Sequence, residues 1–285
     1  MFVITGATGN TGSIAVKTLL AAGQQVRAVV RDAAKAKPLA ELGAQIFVAD
    51  LADQAALAKA FEGAQGVSLM SPPDLNAQNF IADRKALTEK QIQTLARVKV
   101  PHVVLLSSVG AEHAEGTGPI RTTYNAEQQL RAAGLPATFV RASFFVENWA
   151  AVVHPVKQDG VLPSFIRADQ VIPMVSAPDI GRALAQALQA GPQGTKIVEL
   201  AGPVDVSPND VAAAFGKLLN KPVHVVEAPT SAVVPTFTSF GISQNIAELF
   251  KEMYEGLASG KIALEGGPVV RGTTPLETTL RALLG

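Results

Sequence analysis

The stretch Phe2-Val3-Ile4-Thr5-Gly6-Ala7-Thr8-Gly9-Asn10-Thr11-Gly12-Ser13-Ile14 decides the fold. Four residues of a short β-rich run lead into three glycines spaced three apart. Ile14, Ala15, Thr18, Leu19 and Ala22 then share one face of a 3.6-residue period, and Gly23 ends it. A glycine-rich turn between a strand and a helix is the setting in which a dinucleotide pyrophosphate is held. Gly6 permits the tight turn, Gly9 lets the backbone approach the phosphates, and Gly12 lets the helix pack closely on the sheet. Thr8, Asn10 and Thr11 lie between and beside them, where the helix start offers N–H donors and the positive end of its dipole. The spacing is G-x-x-G-x-x-G, so the strand-turn-helix context carries the reading more than the glycines do.

Outward from this turn the chain alternates. Short β-rich runs fall at Phe2 to Thr5, Gln25 to Val30, Gln45 to Val48, Val67 to Met70, His102 to Ser107 and Ala137 to Arg141. Helical patterns lie between them, at about 53–61, 79–98 and 122–133 after the first. Val103-Val104-Leu105-Leu106 is apolar throughout, as a strand buried on both faces must be. Such alternation predicts a doubly wound α/β domain with a parallel sheet, over residues 1–142. From 143 to 285 the rhythm is irregular and broken by Pro155, Pro163, Pro173 and Pro178. Helices are expected at about 179–190, 208–219 and 244–258, and strands at 197–200 and 223–227. This half reads as a smaller mixed lobe that returns at least one strand to the main sheet, with a flexible segment at 230–245.

The residue closing the second strand selects the dinucleotide. An acidic side chain there accepts from a ribose 2′-OH. Here Val26-Arg27-Ala28-Val29-Val30 ends in Arg31, with Asp32 behind it and Lys35 and Lys37 close by. An arginine can fork onto a 2′-phosphate, so NADP(H) is expected over NAD(H). The competing reading makes Arg31 and the lysines a solvated rim and gives the ribose to Asp32. Asp50-Leu51, after the third strand, either covers the adenine or simply caps the next helix.

Composition bounds the rest. The 285 residues carry 24 basic and 24 acidic side chains, 48% hydrophobic residues and no cysteine. Thiolate catalysis, thiolate zinc sites and disulfides are excluded. A balanced charge gives no field for nucleic acid or anionic membrane, and Arg27, Arg31, Lys35 and Lys37 make a cluster suited to one phosphate. No basic leader, signal segment or transmembrane span is read from the sequence, so a soluble, cytoplasmic protein is the default expectation. His102, His113, His154 and His224 share no metal-ligand spacing, and no metal is expected. There is no G-x-S-x-G elbow with an ordered His and Asp, and no Lys-Ser/Thr follows the glycine loop as phosphoryl transfer requires.

Taken in order, T-G-A-T-G-x-x-G, V-R-A-V-V-R-D (26–32), A-D-L-A-D (49–53), L-L-S-S-V-G-A (105–111), Glu127 to Arg141, Phe144 to Asn148 and Arg271 to Glu277 resemble the NmrA-like group of atypical short-chain dehydrogenases. The resemblance runs through essentially the whole chain. It implies a Rossmann-like domain with a small C-terminal lobe, NADP(H) between them, and either reductase activity on quinones and dyes or redox-dependent regulation of a partner protein. It also implies that Ser71-Pro72-Pro73, Ser107 and the Phe144 to Asn148 stretch surround the nicotinamide; Phe144, Phe145 and Asn148, with the apolar Trp149 beside them, are the candidate substrate walls. The bland alternative has Ser107 and Ser108 ending a strand and the two phenylalanines filling core.

The acid-base pair of typical relatives is missing. Tyr-x-x-x-Lys would supply a proton donor and lower its pKa. Tyr124 starts a match that ends in Gln128. Aligned on Glu127 and Gly134-Leu135-Pro136, the family's Lys or His position is Thr123 and its Tyr position is Pro119, and neither can serve. A reductase of flat, electron-poor acceptors can work without the pair, because hydride alignment suffices and solvent protonates the product. A non-catalytic sensor needs only different affinities for the two redox states of the dinucleotide. Catalytic residues therefore stay unassigned, with Tyr124 the weak candidate.

Overall fold

β1 (Phe2–Thr5) is buried at every residue because it lies inside the sheet, with neighbours on both sides and helices over both faces. The computed structural model describes all residues 1–285. After β1 come α1 (Asn10–Ala21), β2 (Val26–Val30), α2 (Lys37–Glu41), β3 (Gln45–Val48), α3 (Gln54–Phe61), β4 (Gly66–Leu69) and α4 (Phe80–Arg97). β5 (Val103–Ser108), α5 (Arg121–Ala132) and β6 (Ala137–Ala142) complete the alternation. The second half holds β7 (Phe144–Phe145), α6 (Val153–Asp159), β8 (Val161–Ser164), β9 (Met174–Val175), α7 (Ala177–Ala190) and β10 (Thr195–Ala201). It closes with α8 (Pro208–Leu219), β11 (His224–Glu227), α9 (Val233–Ser239), α10 (Gln244–Ala258), β12 (Val269–Arg271) and α11 (Leu276–Leu284).

Eight parallel strands form one sheet in the order β12-β10-β6-β5-β4-β1-β2-β3. The order reverses between β1 and β4, and at such a switch point a crevice opens at the carboxyl ends of the strands. One face packs Ala15, Val16 and Leu19 of α1 with Ile180, Leu184 and Leu188 of α7. The other packs Leu57 and Phe61 of α3, Ile92 and Leu95 of α4, and Leu130 of α5. This is the doubly wound architecture. A third core around Trp149, Val156, Leu162, Phe215 and Leu280 holds the smaller C-terminal elements.

Two strands, β10 and β12, return to the sheet from the second half. α7 lies directly on α1, and Gly181 makes this possible: a Cβ there would sit 2.5 Å from the Cβ of Ile14. The helix that follows the glycine turn is thus braced by a segment more than 160 residues later. Two expectations are corrected. α7 begins at Ala177 rather than at about 179, because Pro178 occupies its first turn, where no N–H partner is needed. Pro235 likewise sits in the first turn of α9, so the 230–245 segment is helical over 233–239 rather than a loop. His102 is buried in the sheet, with Nε2 3.0 Å from the Thr138 hydroxyl, and burial lowers its pKa. No helix is long and apolar enough to cross a membrane.

Candidate functional site

The turn between β1 and α1 is shaped by its glycines. Gly6 has φ +62°, and a Cβ on it would meet the Met70 side chain at 2.9 Å. The Gly9 amide donates to the Gly6 carbonyl oxygen at 3.0 Å. A Cβ on Gly12 would overlap that same carbonyl oxygen, so Gly12 closes the turn on itself rather than seating the helix on the sheet. α1 has neither a capping side chain nor an acidic residue in its first turn. The amides of Asn10, Thr11 and Gly12 donate to nothing in the chain, which leaves an anion-binding helix start. Asn10 and Thr11 contribute these amides; their side chains do not line the cleft beside them.

That cleft holds about 880 Å³ and runs along the carboxyl ends of β1 to β4. Gly6, Thr8 and Gly9 line it in the middle, Arg31, Lys35, Asp50 and Leu51 at one end, and Met70, Pro72 and Pro73 opposite. Arg31 and Lys35 are exposed and neither has a hydrogen-bond or ion-pair partner in the chain. Asp32 is engaged: its Oδ1 accepts from the Ala34 amide at 2.9 Å. Lys37 starts α2 and does not line the cleft. Asp50 accepts from Ala52 N at 2.7 Å, while Asp53 caps α3, so Asp50 is not the helix cap. The Ser71 hydroxyl is buried beside the cleft without a partner.

Sequence reasoning missed two further cations, Arg84 and Lys90 of α4, which line the same cleft. Arg84 donates to the Pro72 carbonyl at 3.2 Å, faces Asp74 at 3.7 Å and lies over the Phe80 ring. It ties the 71–74 loop down. Only the assignment of that loop and α4 to one cleft could have flagged it. The N-terminus of α4 is capped from another element, Asn245 Oδ1 accepting from Phe80 N at 2.9 Å. One free helix start and unpaired cations lining a single cleft fit a phosphorylated dinucleotide.

A second, narrow slot of about 110 Å³ opens at the carboxyl ends of β5 and β6. Ser108, Val109, Ser143, Phe144, Phe145 and Asn148 line it, with Ile172, Met253 and Ile262 opposite. β2 and β5 are three strand spacings apart, about 14 Å, and the slot lies at the same carboxyl edge of the sheet as the larger cleft. Three of the four expected substrate walls are brought together here. Trp149 is not: it is buried in the third core, packs on Phe144 and donates from Nε1 to the Met174 sulfur.

Ser107 also departs from expectation. Its hydroxyl donates inward to Glu127 Oε1 at 2.6 Å, part of a buried network, and lines neither cavity. Arg141 of β6 forks onto Glu127 at 2.9 and 2.8 Å and meets Glu112 and Glu265 at 3.0 Å each. Burial alone would lower the arginine's pKa. The bonds and charge of Glu127, with Glu265 and Glu112 behind it, outweigh that and push it up. Burial raises the pKa of Glu112. The network pins β5, α5, β6 and the loops carrying Glu112 and Glu265, and so fixes the floor of the slot. Thr123 donates to the Ile120 carbonyl at 2.7 Å and Tyr124 makes no hydrogen bond within the chain; neither lines the slot.

A third cleft, of about 600 Å³, lies apart, between Gly202–Val206, α8 and the start of α11. Its acidic rim is largely engaged, Asp205 with Arg271 and Asp210 with Ser207 in a capping box. Asp210 accepts from the Ser207 hydroxyl and amide, which lowers its pKa. No group of His, Asp and Glu side chains has metal-ligating geometry.

Quinone oxidoreductase 2 of Escherichia coli (strain K12) is 27% identical over 268 residues, covering 91% of this chain and 89% of that protein. The NAD(P)H azoreductase of Xenophilus azovorans is 26% identical over 254 residues, 89% of this chain and 86% of that one. The crystal structure of the E. coli NADPH-dependent quinone oxidoreductase with NADPH superposes over the full length of both chains, with TM-score 0.85 and 24% identity. The model of the NmrA-like family matches residues 1–268, and the chain belongs to that family.

Proposed function

We propose that the protein is an NADP(H)-dependent reductase of quinone-like, conjugated small molecules. One observation carries the reading: a cleft with unpaired cations and, at the same carboxyl edge of the sheet, an apolar slot the size of a single ring. An engineered cavity of about 150 Å³ accepts benzene, so the slot is of the scale of one ring. The two curated relatives above, a quinone oxidoreductase and an NAD(P)H azoreductase, support the same reading. So does the cofactor of the superposed structure.

The residues divide the work. Asn10, Thr11 and Gly12 donate their amides to the pyrophosphate, and Arg31 and Lys35 face the 2′-phosphate. Leu51 and Asp50 border the adenosine, and Ser71 and Pro72 border the turn toward the nicotinamide. NADPH, when bound, supplies a hydride. Phe144, Phe145 and Asn148 orient the acceptor and keep water from its face. No residue of the slot is placed to protonate an alkoxide. A simple ketone without such a donor forfeits about 10²- to 10⁴-fold in rate. A quinone delocalises the incoming charge and takes its protons from solvent.

The test is NADPH oxidation, followed by absorbance, with a panel of quinones and a panel of aliphatic and aryl ketones. The reading expects quinone turnover and slow or absent ketone turnover. Rapid ketone turnover would restore a hidden acid, with Tyr124 first in line. Tight NADPH binding with no turnover of either panel would favour a redox sensor acting on a protein partner.

A further inference from the structure

The slot contains one polar group that the reading above does not use. Ser143 is the first residue past β6, and its amide donates to the Leu200 carbonyl at 2.9 Å, which fixes its backbone in the sheet. The residue is 4% exposed and lines the slot. Its hydroxyl, shielded from solvent, meets no donor or acceptor of the chain. The other serine there, Ser108, is satisfied by the Val109 carbonyl at 2.9 Å, and Asn148 is exposed. The remaining walls are mostly hydrocarbon, supplied by Phe144, Phe145, Ile172 and Met253 among others.

A buried hydroxyl without a partner is unfavourable, and native folds keep few of them. A ligand oxygen seated in the apolar slot, admitted by a small shift of its side-chain walls, is the group that would satisfy it. We infer that Ser143 is the specificity-determining contact of the slot, donating a hydrogen bond to one carbonyl oxygen of a planar acceptor whose other edges meet hydrocarbon. A serine hydroxyl does not ionise near neutral pH, so Ser143 holds the oxygen and gives up no proton. This rests on the reductase reading in choosing a carbonyl acceptor, but it makes a separate prediction about binding. A site built to hydrogen-bond an oxygen discriminates against the same skeleton without it.

The test uses the full-length chain loaded with NADP⁺, in which nothing can be reduced. 1,4-Benzoquinone and benzene are titrated by equilibrium dialysis against the parent protein and Ser143→Ala. The parent should favour the quinone, and Ser143→Ala should shrink the quinone-to-benzene affinity ratio about tenfold, the worth of one buried neutral hydrogen bond. A general loosening of the slot would weaken both ligands and leave the ratio alone. Ser143→Ala should also melt at or above the parent temperature, since it deletes an unsatisfied group. An unchanged ratio, or no quinone preference in the parent, overturns the inference. If the ratio shifts but the parent never oxidises NADPH, the reductase reading fails and the Ser143 contact stands. If the parent turns quinones over and the ratio is unmoved, the Ser143 contact alone fails.

Discussion

Replacing Arg31 by alanine should separate the two dinucleotides. Arg31 lines the recess at the end of β2, is exposed, and has no partner within the chain, so its removal breaks nothing in the fold. A hydrogen bond to a charged group is worth about 1.5–3 kcal/mol. Because Arg31 is solvated and screened, the lower half of that range applies, which corresponds to roughly 10- to 30-fold in affinity. Lys35 lines the same recess and remains, so a residual preference for NADPH should persist. NADH, which has no 2′-phosphate, should lose less than twofold. The preference should also weaken with salt, since the screening length is about 8 Å at physiological ionic strength. Calorimetric titration of both dinucleotides against both proteins, at low and physiological salt, measures all of this. Equal NADPH and NADH affinities in the parent, or equal losses for both in Arg31→Ala, would refute the assignment of this end of the cleft.

The glycines of the turn should behave differently from one another. Gly9 has an ordinary φ of −79° and its Cβ would lie 3.3 Å from the Gly6 oxygen, so Gly9→Val should fold and yet lose NADPH binding more than 100-fold (about 3 kcal/mol). Gly12→Ala drives a methyl into the Gly6 carbonyl and should cost about 1–3 kcal/mol of stability as well as binding, read by thermal melting beside the titration. Glu147 accepts from the Ala177 amide at 2.8 Å, but its second oxygen is buried without a partner. Burial raises its pKa, with Asp179 adding to the effect. A carboxyl raised in the fold favours folding while protonated, so stability falls as pH climbs from the ordinary carboxylate range through the raised value. Glu147→Gln should therefore melt roughly 2 °C higher than the parent at pH 8 and equally at pH 4, and parallel melting curves across pH would contradict this.

Much of this was readable before any coordinates because parallel strands buried on both faces leave a local signature. Val103 to Leu106 is such a run, and all six early strands lie within about one residue of where their apolar runs placed them. The glycine turn was legible because its spacing and its place after Phe2 to Thr5 constrain the backbone there. What stayed hidden depends on distant partners. Ser107 reads as a strand-end contact until Glu127, twenty residues on, takes its hydroxyl. Trp149 looks like a cleft wall from its neighbours Phe145 and Asn148, but the short 3₁₀ stretch it occupies turns it into the third core. Pro178 and Pro235 read as breaks because a proline in a first turn looks locally like one that ends a helix. Nothing local distinguishes Ser143; only its burial and its lack of a partner do.

The central claim is that the two cavities form one site, with the dinucleotide in the larger and the acceptor ring in the slot. A crystal structure with NADPH and an unreactive quinone analogue tests it most directly. The account predicts the 2′-phosphate beside Arg31 and Lys35, the pyrophosphate on the Asn10 to Gly12 amides, and the analogue in the slot that Phe144 and Phe145 help line, with an oxygen on Ser143. Density for the analogue in the cleft between α8 and α11, or a dinucleotide whose nicotinamide points away from β5 and β6, would contradict it.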